Sequence, residues 1–477
     1  MVFSSYEFLL VFLPVILSGY YLLSRMSNGI YQKLFLVGAS LFFYGYYHVG
    51  YLLLIAGSIL VNYLIATGIQ AAEEKHRACA KALLTCGILF NVGLIGYYKY
   101  CDFFLSAVND LAGTDFAPHN VLLPLGISFF TFQQLSFLIS VYKKEEKVES
   151  LLNYILFVTF FPQLVAGPIV LYEEMIPQFA DERRRGFNSD HVAAGVWYLS
   201  VGLFKKAVIA DTLALFVDNG FALAAPGLIG SWVTALSYTL QIYFDFSGYS
   251  DMAIGLGKFF NIDIPDNFDR PYLSESITVF WRRWHMTLGR ALSSYVYKPL
   301  GGNRKGTVRT CINLFLTFCV SGIWHGASWT FVVWGVVQGI LVVLERLFQD
   351  LLQKIPRVLR IFATFLTTNF LWVLFRADSF ESAGRMYRAM VRFGNPGVSQ
   401  ITALASDGTV TFPAMINGLL IFSLLGILLM VVFSGKEYIE RTSCDSLTRR
   451  QAVLSTVFFA LSLLCIGRES VFIYFNF

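Results

Sequence analysis

Charged residues are scarce in this chain: Asp, Glu, Lys and Arg make up 14% of its 477 residues, whereas 56% are hydrophobic. That composition excludes a set of ordinary soluble domains, which need far more polar surface. The long apolar runs also lack the polar–apolar alternation of membrane barrel strands. Because only helices and closed barrels satisfy their own backbone groups in lipid, the sequence predicts an all-α polytopic membrane protein.

Cysteine motifs, a basic leader and basic–aromatic runs are lacking as well. The scattered cysteines show no CxxC spacing, which predicts neither a disulfide framework nor a zinc site. Glu7 precedes the first apolar run without any Lys or Arg, so we interpret this run as a membrane segment and not as a cleaved signal peptide. The formal net charge of +5 fits loops beside anionic lipid or an anionic substrate, and nucleic acid is not an expected partner. The seven cysteines are Cys79, Cys86, Cys101, Cys311, Cys319, Cys444 and Cys465.

Charge-poor segments recur along the whole chain. We predict about eleven crossings with some short re-entrant segments, because several windows are shorter than the roughly 20 residues of a normal span. Prolines inside these runs predict broken helices around a cavity, where irregular backbone is tolerated. No internal repeat or linker is evident, so residues 1–477 are predicted to form one integral domain. The prolines are Pro14, Pro124, Pro162 and Pro168, and the polar connections include 73–77 and 435–450.

One histidine, His325, lies in an otherwise uncharged run. Residues 310–344 contain no Asp, Glu, Lys or Arg, and as one straight helix they would extend about 52 Å, more than a membrane core. We therefore predict a break near Ser321, Gly322 and Gly326, with His325 at or beside it. An ionisable group in such a place indicates function, because imidazole titrates near neutral pH. A neutral histidine bonded to a backbone carbonyl or a nearby hydroxyl explains the pattern equally well.

A second histidine, His285, lies in the segment SESITVFWRRWHMTLGRALSSYVYKPL. Its hydrophobic residues recur at helical spacing, and Ser274 can cap the start with Glu275 in the first turn, so we predict one helix in the membrane plane or against the bundle. The pattern alone favours an interfacial anchor helix over a catalytic role for His285. The residues at helical spacing are Ile277, Phe280, Trp281, Trp284, Leu288, Leu292 and Tyr295.

A glycine-rich turn, PLGGNRKG, follows this segment and carries Asn303, Arg304 and Lys305, with Lys298 and Arg309 nearby. Positive charges beside flexible backbone amides can hold a phosphate-bearing donor. A solvated loop at an anionic leaflet is equally consistent with the pattern.

Two carboxylates, Asp245 and Asp251, lie in the apolar segment YFDFSGYSDMAIGLG. An unpaired buried charge costs several kcal/mol, so each carboxylate needs a partner. We expect the arginines of the WRRWH segment to supply it, and we favour structural pairing over direct catalysis.

Seven motifs occur in order along the chain: FPQLVAGPI, GLFKK, YFDFSGYSDMAIG, NFDRPY, FWRRWHMTLGRALSSYVYKPLGGNR, SGIWHGASWTFVVWG and WVLFRA. Together they resemble the alginate O-acetyltransferase branch of the membrane-bound O-acyltransferase (MBOAT) family. The resemblance implies helices around a central pore, in which a cytoplasmic donor meets an acceptor from the other side. The family's invariant histidine falls on His325, and its second motif histidine falls on His285.

The resemblance also implies the chemistry. Acetyl-coenzyme A is the expected donor substrate, with no bound cofactor and no metal. His325 would act as the general base for the acceptor hydroxyl, while His285, Asn267 or Tyr249 would steady the oxyanion or orient the acceptor. The cations expected to contact the coenzyme A phosphates are Lys298, Arg304 and Lys305. The residues expected to line or support the pore are Asp245, Ser247, Tyr249, Asp251, Asn267, Trp281, Trp284, Asn303, Ser321 and Trp324.

The expected acceptor is an extracytoplasmic partner acetyltransferase or a polysaccharide hydroxyl such as that of alginate, cellulose or peptidoglycan. The expected location is the inner (cytoplasmic) membrane of a bacterial cell, in contact with membrane lipid. Within the family, D-alanyl transfer to teichoic acid is the alternative. Outside it, a transporter or channel with His325 lining the path shares the same sequence features.

Overall fold

The computed structural model describes residues 1–26, 28–73, 76–394, 397, 400, 404, 414–433, 447–466 and 473. Within these ranges every regular element is helical, and the pairing of Phe268 with Trp284 is an isolated β-bridge. The all-α prediction is therefore confirmed. Cys444, most of the polar connection 435–450 and part of the connection 73–77 lie outside the described residues.

Helices follow one another along the chain with short connections. The α-helices are Leu13–Leu23 (α1), Ile30–Gly45 (α2), Gly50–Glu73 (α3), Arg77–Ile95 (α4), Cys101–Ala112 (α5), Ile127–Tyr142 (α6), Leu151–Thr159 (α7), Phe161–Leu164 (α8), Tyr172–Ala180 (α9), Ser189–Leu203 (α10), Asp211–Ala222 (α11), Leu228–Phe259 (α12), Ile277–Arg283 (α13), Met286–Leu292 (α14), Gly306–His325 (α15), Trp329–Leu347 (α16), Gln349–Leu352 (α17), Arg357–Arg376 (α18), Phe380–Val391 (α19), Ala414–Phe433 (α20) and Arg449–Cys465 (α21). The π-helical segments are Glu7–Phe12, Gly96–Tyr100, Phe204–Ala210 and Ser293–Tyr297, and short 3₁₀ turns cover Glu182–Arg184 and Pro271–Leu273.

Several helices have the length and apolarity that a bilayer crossing requires. Within the described ranges five such spans occur, namely Gly50–Ala72, Arg77–Ala112, α15, α16 and α18. Shorter apolar helices cover Glu7–Leu23, Ile127–Tyr142 and Leu420–Phe433. The chain is thus a multi-pass membrane protein, whereas the number of about eleven crossings stays a prediction.

Breaks in the helices occur next to Pro124, Pro162 and Pro168, whereas Pro14 lies within the uninterrupted helical stretch Glu7–Leu23, where the prediction of a break is wrong. Pro162 lies at the start of the four-residue helix α8, and Pro168 lies in the irregular stretch that follows it. Gly126, which precedes α6, has φ +70°, and a Cβ there would lie 2.5 Å from the carbonyl oxygen of Leu164. Glycine is therefore required where this turn approaches the backbone of α8.

The chain divides into two compact units. The first comprises Met1–Val201, Tyr249–Pro265 and Thr442–Val457, and the second comprises Gly202–Gly248, Asp266–Arg441 and Phe458–Phe477. Helix α12 contributes to both. The prediction of a single integral domain stays a prediction.

In the first unit, a buried network of amide side chains joins α3, α4 and α6. Asn62 and Asn91 donate to each other at 3.3 and 2.6 Å, and Asn62 also donates to Oε1 of Gln134 at 2.9 Å. Gln134 in turn donates to Oγ of Ser58 at 3.0 Å. Such interhelical hydrogen bonds hold membrane helices together because lipid offers their side chains no alternative partner.

In the second unit, α15 and α16 form a tight helical hairpin. A Cβ on Gly322 would lie 2.8 Å from Cα of Gly335, and a Cβ on Gly335 would lie 2.6 Å from the carbonyl oxygen of Phe318. The two backbones are therefore in direct contact, as small residues allow in membrane helix pairs. Ser328 caps α16 by accepting a hydrogen bond from the N–H of Thr330 at 3.4 Å. This hairpin places the end of α15 beside the start of α16.

Candidate active site

His325 is the last residue of α15, and residues 326–328 separate it from α16. The predicted break beside His325 is confirmed, although Ser321 and Gly322 lie inside α15 and only Gly326 lies at the break. A Cβ on Gly326 would collide with the ring of Phe331. The missing side chain at Gly326 therefore lets the hairpin close around His325.

The His325 side chain is enclosed by aromatic rings and is 3% exposed. Its ring meets Trp334 edge-on at a centroid distance of 5.3 Å and Phe375 at 5.2 Å, and the neighbouring Trp324 lies 5.0 Å away. Edge-to-face contacts of this kind fix ring orientation. The imidazole is thus buried in an aromatic enclosure.

His285 lies between α13 and α14, so the prediction of one continuous helix is wrong. Trp284 is extended and His285 has φ +48°, in the left-handed region, which interrupts the helical hydrogen-bond series. The start of the helix also differs from the predicted one. Ser276, and not Ser274, caps α13 by accepting a hydrogen bond from the N–H of Val279 at 3.1 Å. The physical reason is tertiary: buried partners hold His285 in a conformation that helical periodicity does not reveal.

Asn267 is the partner that orients His285. Its Oδ1 accepts from the Thr287 N–H at 3.1 Å and from the Thr287 hydroxyl at 2.9 Å, so this atom is an acceptor. His285 Nδ1 lies 3.2 Å from the same oxygen and must therefore donate to it, which leaves Nε2 as the acceptor nitrogen of a neutral ring. Burial lowers the pKa of His285, which lies outside the spanning helices, to about 3. His285 is thus neutral near pH 7.

Trp324 connects the two histidines. Its ring centroid lies 6.0 Å from His285 and 5.0 Å from His325, within the usual range of aromatic contacts. Phe246 of α12 contacts the His285 ring edge-on at 4.7 Å. Two histidines that are 40 residues apart in sequence thus flank one indole ring.

Further tryptophans, from α13 with its C-cap and from α18, pack near Trp334, the ring that contacts His325. Trp281 donates through Nε1 to Gln338 at 3.1 Å, and Trp372 donates to the hydroxyl of Tyr272 at 3.2 Å. Trp284 lies 5.1 Å from Trp372 between ring centroids. Because the indole N–H groups of Trp281 and Trp372 are bonded, these large rings are fixed in place.

Asp245 has a different partner from the one expected. Lys206, on the π-helical segment Phe204–Ala210, lies 2.8 Å from Asp245 and 2.7 Å from Asp211, and all three side chains are buried. The backbone N–H of Ile473 donates to the other oxygen of Asp245 at 3.1 Å. The expected pairing of Asp245 with the arginines of the WRRWH segment is therefore wrong. A Cβ on Gly248 would lie 2.8 Å from the carbonyl oxygen of Gly202, and this close approach of α12 to the segment before Lys206 brings the charges together.

The glycine turn carries exposed charged side chains and depends on glycine backbone conformations. Gly301, Gly302 and Gly306 have φ values of +110°, +55° and +81°. Asn313 of α15 anchors the turn by donating to the carbonyl oxygen of Gly302 at 2.9 Å. The side chains of the predicted donor-binding residues Lys298, Arg304 and Lys305 are exposed, as is that of Asn303. Their contact with a donor stays a prediction.

The other predicted residues are all buried, and they belong to different compact units. Ser247 lies on α12 near Asp245, and Ser321 lies on α15 one turn before His325. Tyr249 and Asp251 belong to the first compact unit, where Tyr249 stacks on Phe3 at 4.9 Å. The structure thus brings together His285, His325, Asn267, Trp281, Trp284 and Trp324.

Comparison with known proteins places this arrangement in a family. The family model of MBOAT, the membrane-bound O-acyltransferase family, matches residues 119–380, which include both histidines. The chain is also 38% identical to the peptidoglycan O-acetyltransferase of Helicobacter pylori, over 100% of this chain and 98% of that protein. This chain belongs to the MBOAT family. The resemblance that the motifs indicate is thereby confirmed.

Other relatives bear on the branch of the family. This MBOAT is 42% identical to the probable alginate O-acetylase AlgI of Pseudomonas aeruginosa, over 84% of this chain and 77% of that protein. It is 28% identical to the teichoic acid D-alanyltransferase of Bacillus subtilis, over 49% of this chain and 61% of that protein. Membership of the family makes the chain an enzyme, an O-acyltransferase, which favours that prediction over a transporter or channel.

Sequence reasoning missed several side chains of the MBOAT site. Trp334 and Phe375 enclose His325, Phe246 contacts His285, and Thr287 shares the Asn267 oxygen with it. Each of these four residues lies within one of the seven motifs. Membership of a motif was therefore the sequence feature that could have indicated them. A hydrophobic residue in an apolar segment does not reveal which histidine it will contact, and periodicity therefore could not assign these four.

Proposed function

We propose that this MBOAT transfers an acetyl group from cytoplasmic acetyl-coenzyme A to an extracytoplasmic hydroxyl, with His325 as the general base. The observation that carries the proposal is the pair of buried histidines around Trp324. The choice of acetyl is supported by the two relatives named as O-acetylating enzymes, at 38% and 42% identity over most of the chain. We place the enzyme in the inner membrane of a bacterium, which separates cytoplasmic acetyl-coenzyme A from an extracytoplasmic acceptor.

The chemistry needs one proton to move twice. An imidazole nitrogen of His325 takes the proton of the acceptor hydroxyl as the oxygen attacks the thioester carbonyl carbon. The carbon–sulfur bond then breaks, coenzyme A leaves, and the proton passes from the imidazolium to the departing sulfur. The aromatic enclosure of His325 excludes bulk water, which would otherwise hydrolyse the thioester.

His285 is better suited to orient the acceptor than to stabilise an oxyanion. An oxyanion needs a hydrogen-bond donor, whereas the Nε2 atom of neutral His285 is an acceptor because Nδ1 donates to Asn267. A ring with a pKa of about 3 is also a weak base. The acceptor hydroxyl would therefore be positioned by Nε2 of His285 and deprotonated by His325.

The donor would enter at the glycine turn. Lys298, Arg304 and Lys305 are exposed there, on a turn whose glycines have positive φ. Charge-assisted hydrogen bonds from such groups suit the phosphates of coenzyme A. The acceptor is either the hydroxyl of a partner acetyltransferase or a polysaccharide hydroxyl directly.

A transfer assay with purified protein in vesicles tests the proposal. Labelled acetyl-coenzyme A is supplied on one side, and peptidoglycan or alginate fragments on the other. We expect His325→Ala to lose about 10²–10⁴-fold in rate while still binding the donor, because only the proton acceptor is removed. His76→Ala, a substitution of an exposed histidine in the connection before α4, is the matched control and should transfer normally. Normal transfer by His325→Ala would refute the role of that histidine.

D-alanyl transfer is the second candidate, and the 28% identical relative supports it. That relative aligns with 49% of the chain, against 84–100% for the O-acetylating relatives. Supplying a D-alanyl-loaded carrier protein in place of acetyl-coenzyme A separates the two. Transfer of D-alanine, without transfer of acetyl, would decide for this second candidate.

A further inference from the structure

Three side chains with metal-ligand chemistry lie together in the first unit, in a part of the chain that the acyl-transfer chemistry does not use. Cys101 and Asp102 are the first two residues of α5, and His119 lies in the connection from α5 to α6. Sγ of Cys101 lies 3.9 Å from Nδ1 of His119, which lies 3.9 Å from Oδ1 of Asp102. One ligand atom from each residue lies within 4.8 Å of the other two.

The sulfur–nitrogen and nitrogen–oxygen separations are close to those around one tetrahedral ion. Zinc bonds of about 2.3 Å to sulfur and 2.0–2.1 Å to nitrogen, at a tetrahedral angle, place S and N about 3.6 Å apart. Nitrogen and carboxylate oxygen on the same ion lie about 3.4 Å apart. The observed 3.9 Å separations exceed these values by a few tenths of an ångström, which small side-chain rotations remove.

The connection is already folded so that His119 faces α5. Its backbone N–H donates to Oδ1 of Asp102 at 2.8 Å. Asn109 of α5 accepts from the N–H of Phe116 at 2.9 Å and donates to its carbonyl oxygen at 3.0 Å. An ion would therefore bind without refolding the chain, which lowers the entropic cost of forming the site.

We propose that Cys101, Asp102 and His119 bind one divalent transition-metal ion, with zinc as the best match and the fourth position open to water. Thiolate, imidazole and carboxylate together select zinc over calcium or magnesium, which take oxygen ligands. The ion would attach the α5–α6 connection to α5. Among the described residues, no other three His, Cys, Asp or Glu side chains lie close enough together to bind one ion.

Metal titration of the full-length protein in detergent, with any affinity tag removed, tests the site. Zinc is measured after equilibrium dialysis, and cobalt serves as a coloured probe because a cobalt–thiolate bond adds a charge-transfer band. We expect one ion per chain and such a band for the unaltered protein. Cys101→Ser should abolish the band, and Cys101→Ser and His119→Ala should each weaken binding roughly tenfold or more, at least the loss seen when a supporting group is removed.

Two further variants keep the result interpretable. Cys79→Ser removes an exposed cysteine on α4 and should bind zinc like the unaltered protein. Asp102→Asn keeps an oxygen that accepts from the His119 N–H but removes the charge, so it should weaken zinc binding in a protein that remains folded. Equal zinc binding in the Cys101→Ser and unaltered proteins overturns the proposal, as does binding well below one ion per chain. Acetyl transfer is not the readout, so failure of the acetyltransferase proposal leaves this result unaffected.

Discussion

Replacing Asn267 with alanine removes the one oxygen on which the position of His285 depends. That oxygen accepts from His285 Nδ1, the Thr287 N–H and the Thr287 hydroxyl, at 3.2, 3.1 and 2.9 Å. A buried donor left without an acceptor costs about 1–3 kcal/mol. The left-handed conformation of His285 costs about 1–3 kcal/mol more and persists only while its surroundings enforce it. Because the three bonds share one atom, we expect a loss of about 3 kcal/mol in the free energy of unfolding, not the full sum.

The same substitution should affect transfer more than donor binding. A released His285 ring no longer directs Nε2 to one place, and misplacement by about 1 Å can cost about 10²-fold in rate. We therefore expect Asn267→Ala to lower kcat in the vesicle assay, with the KM for acetyl-coenzyme A unchanged. Thermal unfolding of the detergent-solubilised protein reports the stability change.

Thr287→Ser is the matched control, because its N–H and hydroxyl still donate to the Asn267 oxygen and no buried charge is introduced. Its kcat should lie much closer to that of the unaltered protein than the kcat of Asn267→Ala does. If Asn267→Ala instead transfers and unfolds like the unaltered protein, Asn267 does not orient His285, and the proposed role of Nε2 fails with it.

Other perturbations test separate parts of the structure. Lys206→Met removes the cation between two buried carboxylates, which should destabilise the protein by about 3–5 kcal/mol, and an unchanged unfolding temperature would contradict the buried charge cluster. Gly335→Ala places a methyl group against the backbone of α15 and should lower both the unfolding temperature and kcat, whereas Gly384→Ala, with ordinary contacts on α19, should lower neither. Reversing charge with Arg304→Glu and Lys305→Glu should raise the KM for acetyl-coenzyme A with kcat retained, and the effect should shrink at high salt; an unaltered KM would place the donor elsewhere.

The helix break beside His325 could be inferred from sequence because charge is so scarce. A run of 35 uncharged residues is too long for one straight span, so a break was required, and His325 was the ionisable residue beside its glycines. The structure ends α15 at His325 and starts α16 at Trp329. This prediction was confirmed because it depended on the rise of a helix and the thickness of a membrane. Neither depends on how distant parts of the chain pack.

The segment around His285 shows where that reasoning stops. Helical spacing of its apolar residues predicts one helix, and α13 and α14 do each follow it. The break between them depends on Asn267, 18 residues upstream, whose oxygen holds His285 and Thr287. The partner of Asp245 was missed for the same reason, since Lys206 lies 39 positions away and nearer arginines carry the same charge.

The sequence by itself determined that this chain is helical, that it resides in a membrane, and that His325 stands beside a break in its longest uncharged run. These properties follow from composition and from the period and rise of a helix. The tertiary structure alone decided which rings enclose His325, which nitrogen of His285 donates, and which cation neutralises Asp245. Those are choices among chemically equivalent partners at large sequence separation, and only the packing of the helices brings one of them within hydrogen-bonding distance.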